Sequence, residues 1–140
     1  MIRSSLSLLL LVAACAGRDA ATLELADGRR VADLAVSDST VLLLYDPSAC
    51  FSCGTTLPGW VAYRIDHPDR VRLVLTGTPT PGEAALLRAG RVMVDGIAAG
   101  GRALTRGKGY RVSLLVAGRE KWSGTAVPDT LLPVFPISSR

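Results

Sequence analysis

Histidine occurs once in this chain, at His67, and no cysteine stands beside it. Nothing in the sequence resembles a Ser–His–Asp set, and with a single His and no His–Cys cluster most hydrolytic mechanisms lack their parts. There is no glycine-rich phosphate loop and no paired-carboxylate motif. The longest apolar run is about eleven residues, well short of the roughly 20 that a membrane-crossing helix needs. Charged residues are 20% of the chain and hydrophobic ones 49%, which excludes wholesale disorder and allows a packed core. At 140 residues the chain has material for one domain. Its formal charge is +4, and fourteen of its sixteen basic residues are Arg, scattered in ones and twos. Nucleic-acid binding needs that charge clustered, so no nucleic-acid partner is expected. Cysteine is scarce and odd in number: Cys15, Cys50 and Cys53.

The first cysteine belongs to an address. Arg3 supplies a positive start, Leu6 to Ala14 is apolar except for Ser7, and small residues follow. That is the layout of a secretory signal. Its exit, Leu11-Val12-Ala13-Ala14-Cys15, resembles a bacterial lipobox. The resemblance implies cleavage before Cys15 and acylation of that residue, with several acyl chains giving stable attachment. Ala16 rather than Asp follows, which by the same resemblance points to an outer membrane, facing the periplasm. Ala14-Cys15-Ala16 also fits ordinary A-x-A cleavage, which would release a soluble periplasmic or secreted protein. Both routes remove Cys15 from any disulfide and leave an even pair.

Residues 1–14 are thus read as signal peptide, 15–21 as a tether, 22–126 as the folded domain and 127–140 as a Pro-containing tail. Alternation at Thr22–Leu25 and Arg30–Leu34 around Asp27-Gly28 predicts a hairpin. Val41–Tyr45 and Val71–Leu75 are continuous apolar runs, as in strands buried on both faces. Cys50 to about Asp66 predicts a helix: Cys53, Leu57, Trp60, Val61 and Ile65 recur at spacings of three and four. Pro58 is expected to kink it, and His67-Pro68-Asp69 to stop it. Glu83–Ala89 predicts a short helix with Gly90 at C′, and Arg91–Val94 a short strand. Ile97 to Leu104 allows a turn or two of helix, weakened by Gly100-Gly101. Tyr110–Val116 and Glu120–Thr125 predict a hairpin around Ala117-Gly118-Arg119. The order β-β-β-α-β-α-β-(α)-β-β argues for an α/β sheet with a parallel centre and added antiparallel strands.

Cys50-Phe51-Ser52-Cys53 is a C-x-x-C directly after a buried strand and at a helix start. Unpaired N–H groups and partial positive charge at a helix N-terminus favour a thiolate on the first Cys. The two-residue spacing lets the second thiol attack a mixed disulfide and release the partner. Cys50 is thus the candidate attacking thiol and Cys53 the resolving one. A disulfide closing so short a loop contributes little chain entropy, so exchange explains the pair better than stapling.

Residues 22–125 resemble thioredoxin-like domains, especially exported, membrane-tethered thiol–disulfide oxidoreductases and the peroxiredoxin-like branch. The residues that carry the likeness are the hairpin Leu25–Leu34, the strand Val41–Tyr45, the Cys50–Trp60 segment and the closing Val112–Arg119. The resemblance implies a thioredoxin-like fold: a central mixed sheet flanked by helices, with an N-terminal β-hairpin extension. It places Pro58 where the family kinks its first helix. The sequence also departs from the family. No proline stands near Tyr110-Arg111, where the family carries a cis-Pro. Ala49 replaces the common Trp before the first Cys, and apolar Leu44 falls at the family's buried acid. Pro47 occupies the position of the peroxidatic Thr or Ser, which disfavours peroxidase activity.

These readings lead to a lipid-anchored thiol–disulfide oxidoreductase, acting as a monomer on partner-protein dithiols or disulfides and needing no dissolved cofactor. A second reading is a non-catalytic interaction module with an inert disulfide. A third is a copper-handling carrier using Cys50, Cys53 and His67 as ligands. Asp46 is expected as a solvated turn residue, and Trp60, Tyr63 and Trp122 as core or half-buried packing. Arg106, Lys108 and Arg111 form the densest basic patch, expected to be a solvated loop.

Overall fold

The computed structural model describes residues 19–35, 38–48, 56–105 and 108–125. The signal peptide, Cys15, Cys50, Cys53 and the tail 127–140 lie outside these residues. Five strands form one sheet in the order β3-β2-β1-β4-β5. They are β1 (Ser39–Tyr45), β2 (Val71–Leu75), β3 (Gly96–Ile97), β4 (Tyr110–Val116) and β5 (Arg119–Gly124). The first three run parallel, and β4 and β5 are antiparallel to their neighbours. The helices are α1 (Thr56–Asp66), α2 (Pro81–Ala89) and α3 (Arg102–Thr105).

β1 is the central strand and every residue after Ser39 in it is buried. Its continuous apolar run follows from that position, because both faces are covered. Val41, Leu43 and Tyr45 face α1 and α2, packing with Leu57, Trp60, Val61, Tyr63 and Leu87. Leu42 and Leu44 point the other way, into a second cluster with Ala20, Leu25, Val31, Leu34, Ala98 and Leu115. The alternation of one strand thus organises two cores.

The N-terminal hairpin contracts to one antiparallel bridge, Glu24 with Arg30. Asp27-Gly28 does turn the chain, with Gly28 at φ 87°. The strands do not continue because Asp33 Oδ2 accepts from the Arg30 N–H (2.9 Å), starting a 3-10 turn over Val31–Leu34. The Ala26 N–H donates to Ile97 O (2.7 Å), tying the turn to β3. Packing also begins before Thr22. Asp19 accepts from the Ala21 N–H (2.8 Å) and caps a 3-10 turn in which Ala20 and Ala21 are buried.

Within α1 Pro58 is the third residue, where an amide N–H would have no partner inside Thr56–Asp66. α2 starts two residues earlier than Glu83, through the capping box of Thr80 and Glu83 with Pro81 at its first position. Gly90 is right-handed (φ −78°), and the left-handed residue is Arg91 (φ 53°). The glycine serves close approach instead: a Cβ there would sit 3.0 Å from Val61 Cγ1 on α1. The third parallel strand is Gly96–Ile97 rather than Arg91–Val94. Asp95 displaces it, donating its N–H to Leu73 O (2.8 Å) while its Oδ2 accepts from the Leu73 N–H (2.7 Å). Arg64 Nη1 holds the same carboxylate at 2.8 Å. The β4–β5 hairpin turns through Ala117 (φ 51°) and Gly118 (φ 75°), both left-handed, as a type I′ turn requires.

Candidate functional site

Parallel α/β sheets place their chemistry at the carboxyl ends of the strands. The chain leaves the central strand there, at Tyr45-Asp46, and re-enters described structure at Thr56 in α1. The sequence between carries Cys50 and Cys53, both outside the described residues.

Asp46 is the first surprise. It is 1% exposed, not a solvated turn residue. Its Oδ1 accepts from the Ser48 N–H (3.0 Å) and the Ser48 hydroxyl (2.7 Å). Its Oδ2 stands 3.5 Å from Arg102 Nε, at the start of α3. Burial pushes the carboxyl pKa up, but the two Ser48 bonds, the Thr76 hydroxyl and Arg102 pull harder, and the net direction is down. Thr76 Oγ1 is buried and makes no full hydrogen bond among the described residues, so its contribution is the weaker one. The Asp46 backbone is fixed as well: its N–H donates to Gly109 O (2.8 Å). Gly109 has φ 78°, a conformation open to glycine and costly for other residues. It immediately precedes β4 and the Tyr110-Arg111 pair, a stretch in which the sequence carries no proline.

Two clefts flank this end of the sheet. One, of about 260 Å³, is lined by Tyr45, Leu57, Thr80, Gly82, Glu83 and Leu86. The Tyr45 hydroxyl donates to Glu83 Oε1 across it (3.1 Å). Burial first, and then the Glu83 carboxylate, raise the Tyr45 pKa to about 12. The other cleft, of about 240 Å³, is lined by residues including Lys108, Tyr110, Arg111 and Ser123. Tyr45 and Tyr110 are register partners, so they stand side by side where the two clefts meet the strand ends.

The other candidates are spread out. His67 follows the last residue of α1, and its ring packs on Tyr63 at 4.5 Å. Helical rise puts it about 16 Å from Thr56, at the opposite end of the helix from the cysteine segment. The other two ligands of the copper reading, Cys50 and Cys53, lie outside the described residues, and no group of three metal-type ligands occurs among the described ones. Trp60 is fully buried and meets Tyr63 edge-on at 5.7 Å. Trp122 is 37% exposed on β5. The basic patch divides: Arg111 pairs with Glu120, Lys108 is exposed, and Arg106 lies outside the described residues. Sequence reasoning missed the roles of Asp46 and Glu83. The available signal was Asp-x-Ser immediately after the apolar run Val41–Tyr45, a pattern suited to an Asx turn.

The strand order, the mixed strand directions and the helices beside the sheet are those of an α/β domain built on one mixed sheet. No family model and no curated protein matches the chain. Among solved structures, it is similar to the crystal structure of StoA from Bacillus subtilis. The two are 16% identical, with a TM-score of 0.47 over 79% of this chain and 91% of that one. No helix among the described residues is long and apolar enough to cross a membrane.

Proposed function

We propose that the protein is an exported thiol–disulfide oxidoreductase, held at a bacterial membrane by acylated Cys15 and working through Cys50 and Cys53. The observation that carries the reading is the junction itself. A C-x-x-C lies in the sequence between a central strand buried from Thr40 to Tyr45 and the helix that follows it, and two open clefts flank the end of the sheet where the chain leaves that strand. In the reducing direction the Cys50 thiolate attacks one sulfur of a partner disulfide. The partner S–S bond breaks, a mixed disulfide forms, and the released partner thiolate takes a proton. The Cys53 thiolate then attacks Cys50 Sγ, and the second partner sulfur leaves and is protonated. The partner gains two electrons and two protons, and the protein holds a Cys50–Cys53 disulfide. The oxidising direction is the reverse.

The test is trapping in cells. Cys53→Ser removes the resolving thiol, so mixed disulfides through Cys50 should accumulate and be reversed by reductant. No adduct, together with a wild-type pair that stays oxidised below about −300 mV, marks a structural disulfide. Ala49 and the glycine before β4 support that second reading, an interaction module with an inert disulfide. Metabolic labelling with a clickable palmitate tests the anchor. An unlabelled protein would leave soluble export as the route.

A further inference from the structure

The tether is shorter than residues 15–21 suggest, and this constrains how the domain sits. Ala20 is fully buried, and its N–H donates to Glu120 Oε2 on β5 (2.7 Å). Ala20 is five residue steps from Cys15, so an extended chain spans at most about 18 Å between them. Acyl chains on Cys15 would hold the edge of the sheet against the lipid surface. β5 is the terminal strand of the described sheet, so it is the edge on which the leash pulls.

The exposed side chains of that edge suit such a surface. Arg119 and Lys121 are both exposed. Glu120 between them turns inward, with its side chain 9% exposed and paired with Arg111, so its charge is spent inside the protein. Trp122 follows, with 37% of its surface exposed. Two outward cations beside a half-exposed indole match an anionic headgroup layer, where Lys and Arg are attracted and Trp rests at the interface.

We propose that β5 is a membrane-docking edge that lies on the anionic phospholipid headgroups of the leaflet holding the anchor. This rests on the reading of Cys15 as acylated. The experiment uses the full-length acylated protein in vesicles of phosphatidylglycerol and phosphatidylcholine. A fraction of the lipid is brominated high on the acyl chains, and flotation and tryptophan emission are read together. Trp60 is buried in the core, so Trp122→Phe supplies its background. The expected result is flotation with bromine quenching that disappears in Trp122→Phe. Quenching should weaken in an Arg119→Glu/Lys121→Glu double variant that still floats, and on vesicles of phosphatidylcholine alone. Flotation without quenching would overturn the docking edge and leave the anchor standing. Trp122 shielded from both bromine and aqueous iodide would mean that other protein covers it, which overturns the docking edge equally. Failure to float would remove the anchor, and the docking edge with it.

Discussion

Replacing Asp46 by Asn keeps the shape of the strand–helix junction and removes its charge. The carboxylate accepts two hydrogen bonds from Ser48 while 1% exposed. Bonds to a charged group in such a place contribute about 1.5–3 kcal/mol, and neutral ones roughly half as much. Arg102 adds little, because it is 61% exposed and 3.5 Å away; exposed pairs contribute about 0–1 kcal/mol. An Asn oxygen can still accept from Ser48, but its NH₂ then points at the guanidinium. The expected loss at pH 7 is about 2 kcal/mol, or a fall of roughly 8 °C in Tm. The pH dependence gives the sharper check. The folded pKa of Asp46 lies below its ordinary value, so its stabilisation is complete above the unfolded pKa of about 3.9. It is lost as pH falls through the folded pKa. Urea unfolding of both proteins from pH 7 to pH 2.5 should show a constant difference down to about pH 5 that closes in the acid range. A difference unchanged at pH 2.5, or an Asn variant as stable as wild type at pH 7, would refute the account.

Glu120→Ala should cost about 3 kcal/mol in chemical denaturation, because it strands the partly buried Arg111 and the Ala20 amide together. Hydrogen exchange at Ala20 should rise more than exchange in β1. Leu42→Ala, in the fully buried centre of β1, should cost about 3–4 kcal/mol by the same assay. In alkaline absorbance titration Tyr45 should ionise near pH 12, and Tyr45→Phe should remove that step. Tyr45 has a raised pKa, so its contribution to stability is present below about pH 10 and fades as pH rises through 12.

Much of the fold could be read from the chain because local and global preferences coincide. Val41–Tyr45 is apolar at every position, and only a central strand between two covered faces suits that run. Tyr110–Val116 and its Ala-Gly turn were equally legible, since alternation and turn chemistry agree. Expectations failed where one side chain took a backbone group's hydrogen bond. Asp33 diverted the second arm of the hairpin into a 3-10 turn, and Asp95 replaced a strand residue beside Leu73. Periodicity records which positions are apolar, not which carboxylate finds an amide. At the site, the C-x-x-C and its strand–helix setting were visible, but the burial of Asp46 was not. A turn-forming Asp-Pro reads as solvated until α3 and Gly109 are brought against it from the far half of the chain.

The clamp of Arg64 and Asp95 has a consequence for solubility. β3 covers only Val74 and Leu75 of its neighbour, which leaves the first half of β2 without a flanking strand on that side among the described residues. An uncovered strand flank invites a second molecule to add its own backbone, and from there a growing fibre. Here Arg64 takes the Val71 carbonyl and Asp95 takes the Leu73 amide, so two charged side chains occupy the groups a stranger would need. The ion pair works as a guard rail on the sheet, and its loss would be felt first at high protein concentration rather than in the folding equilibrium of a dilute sample.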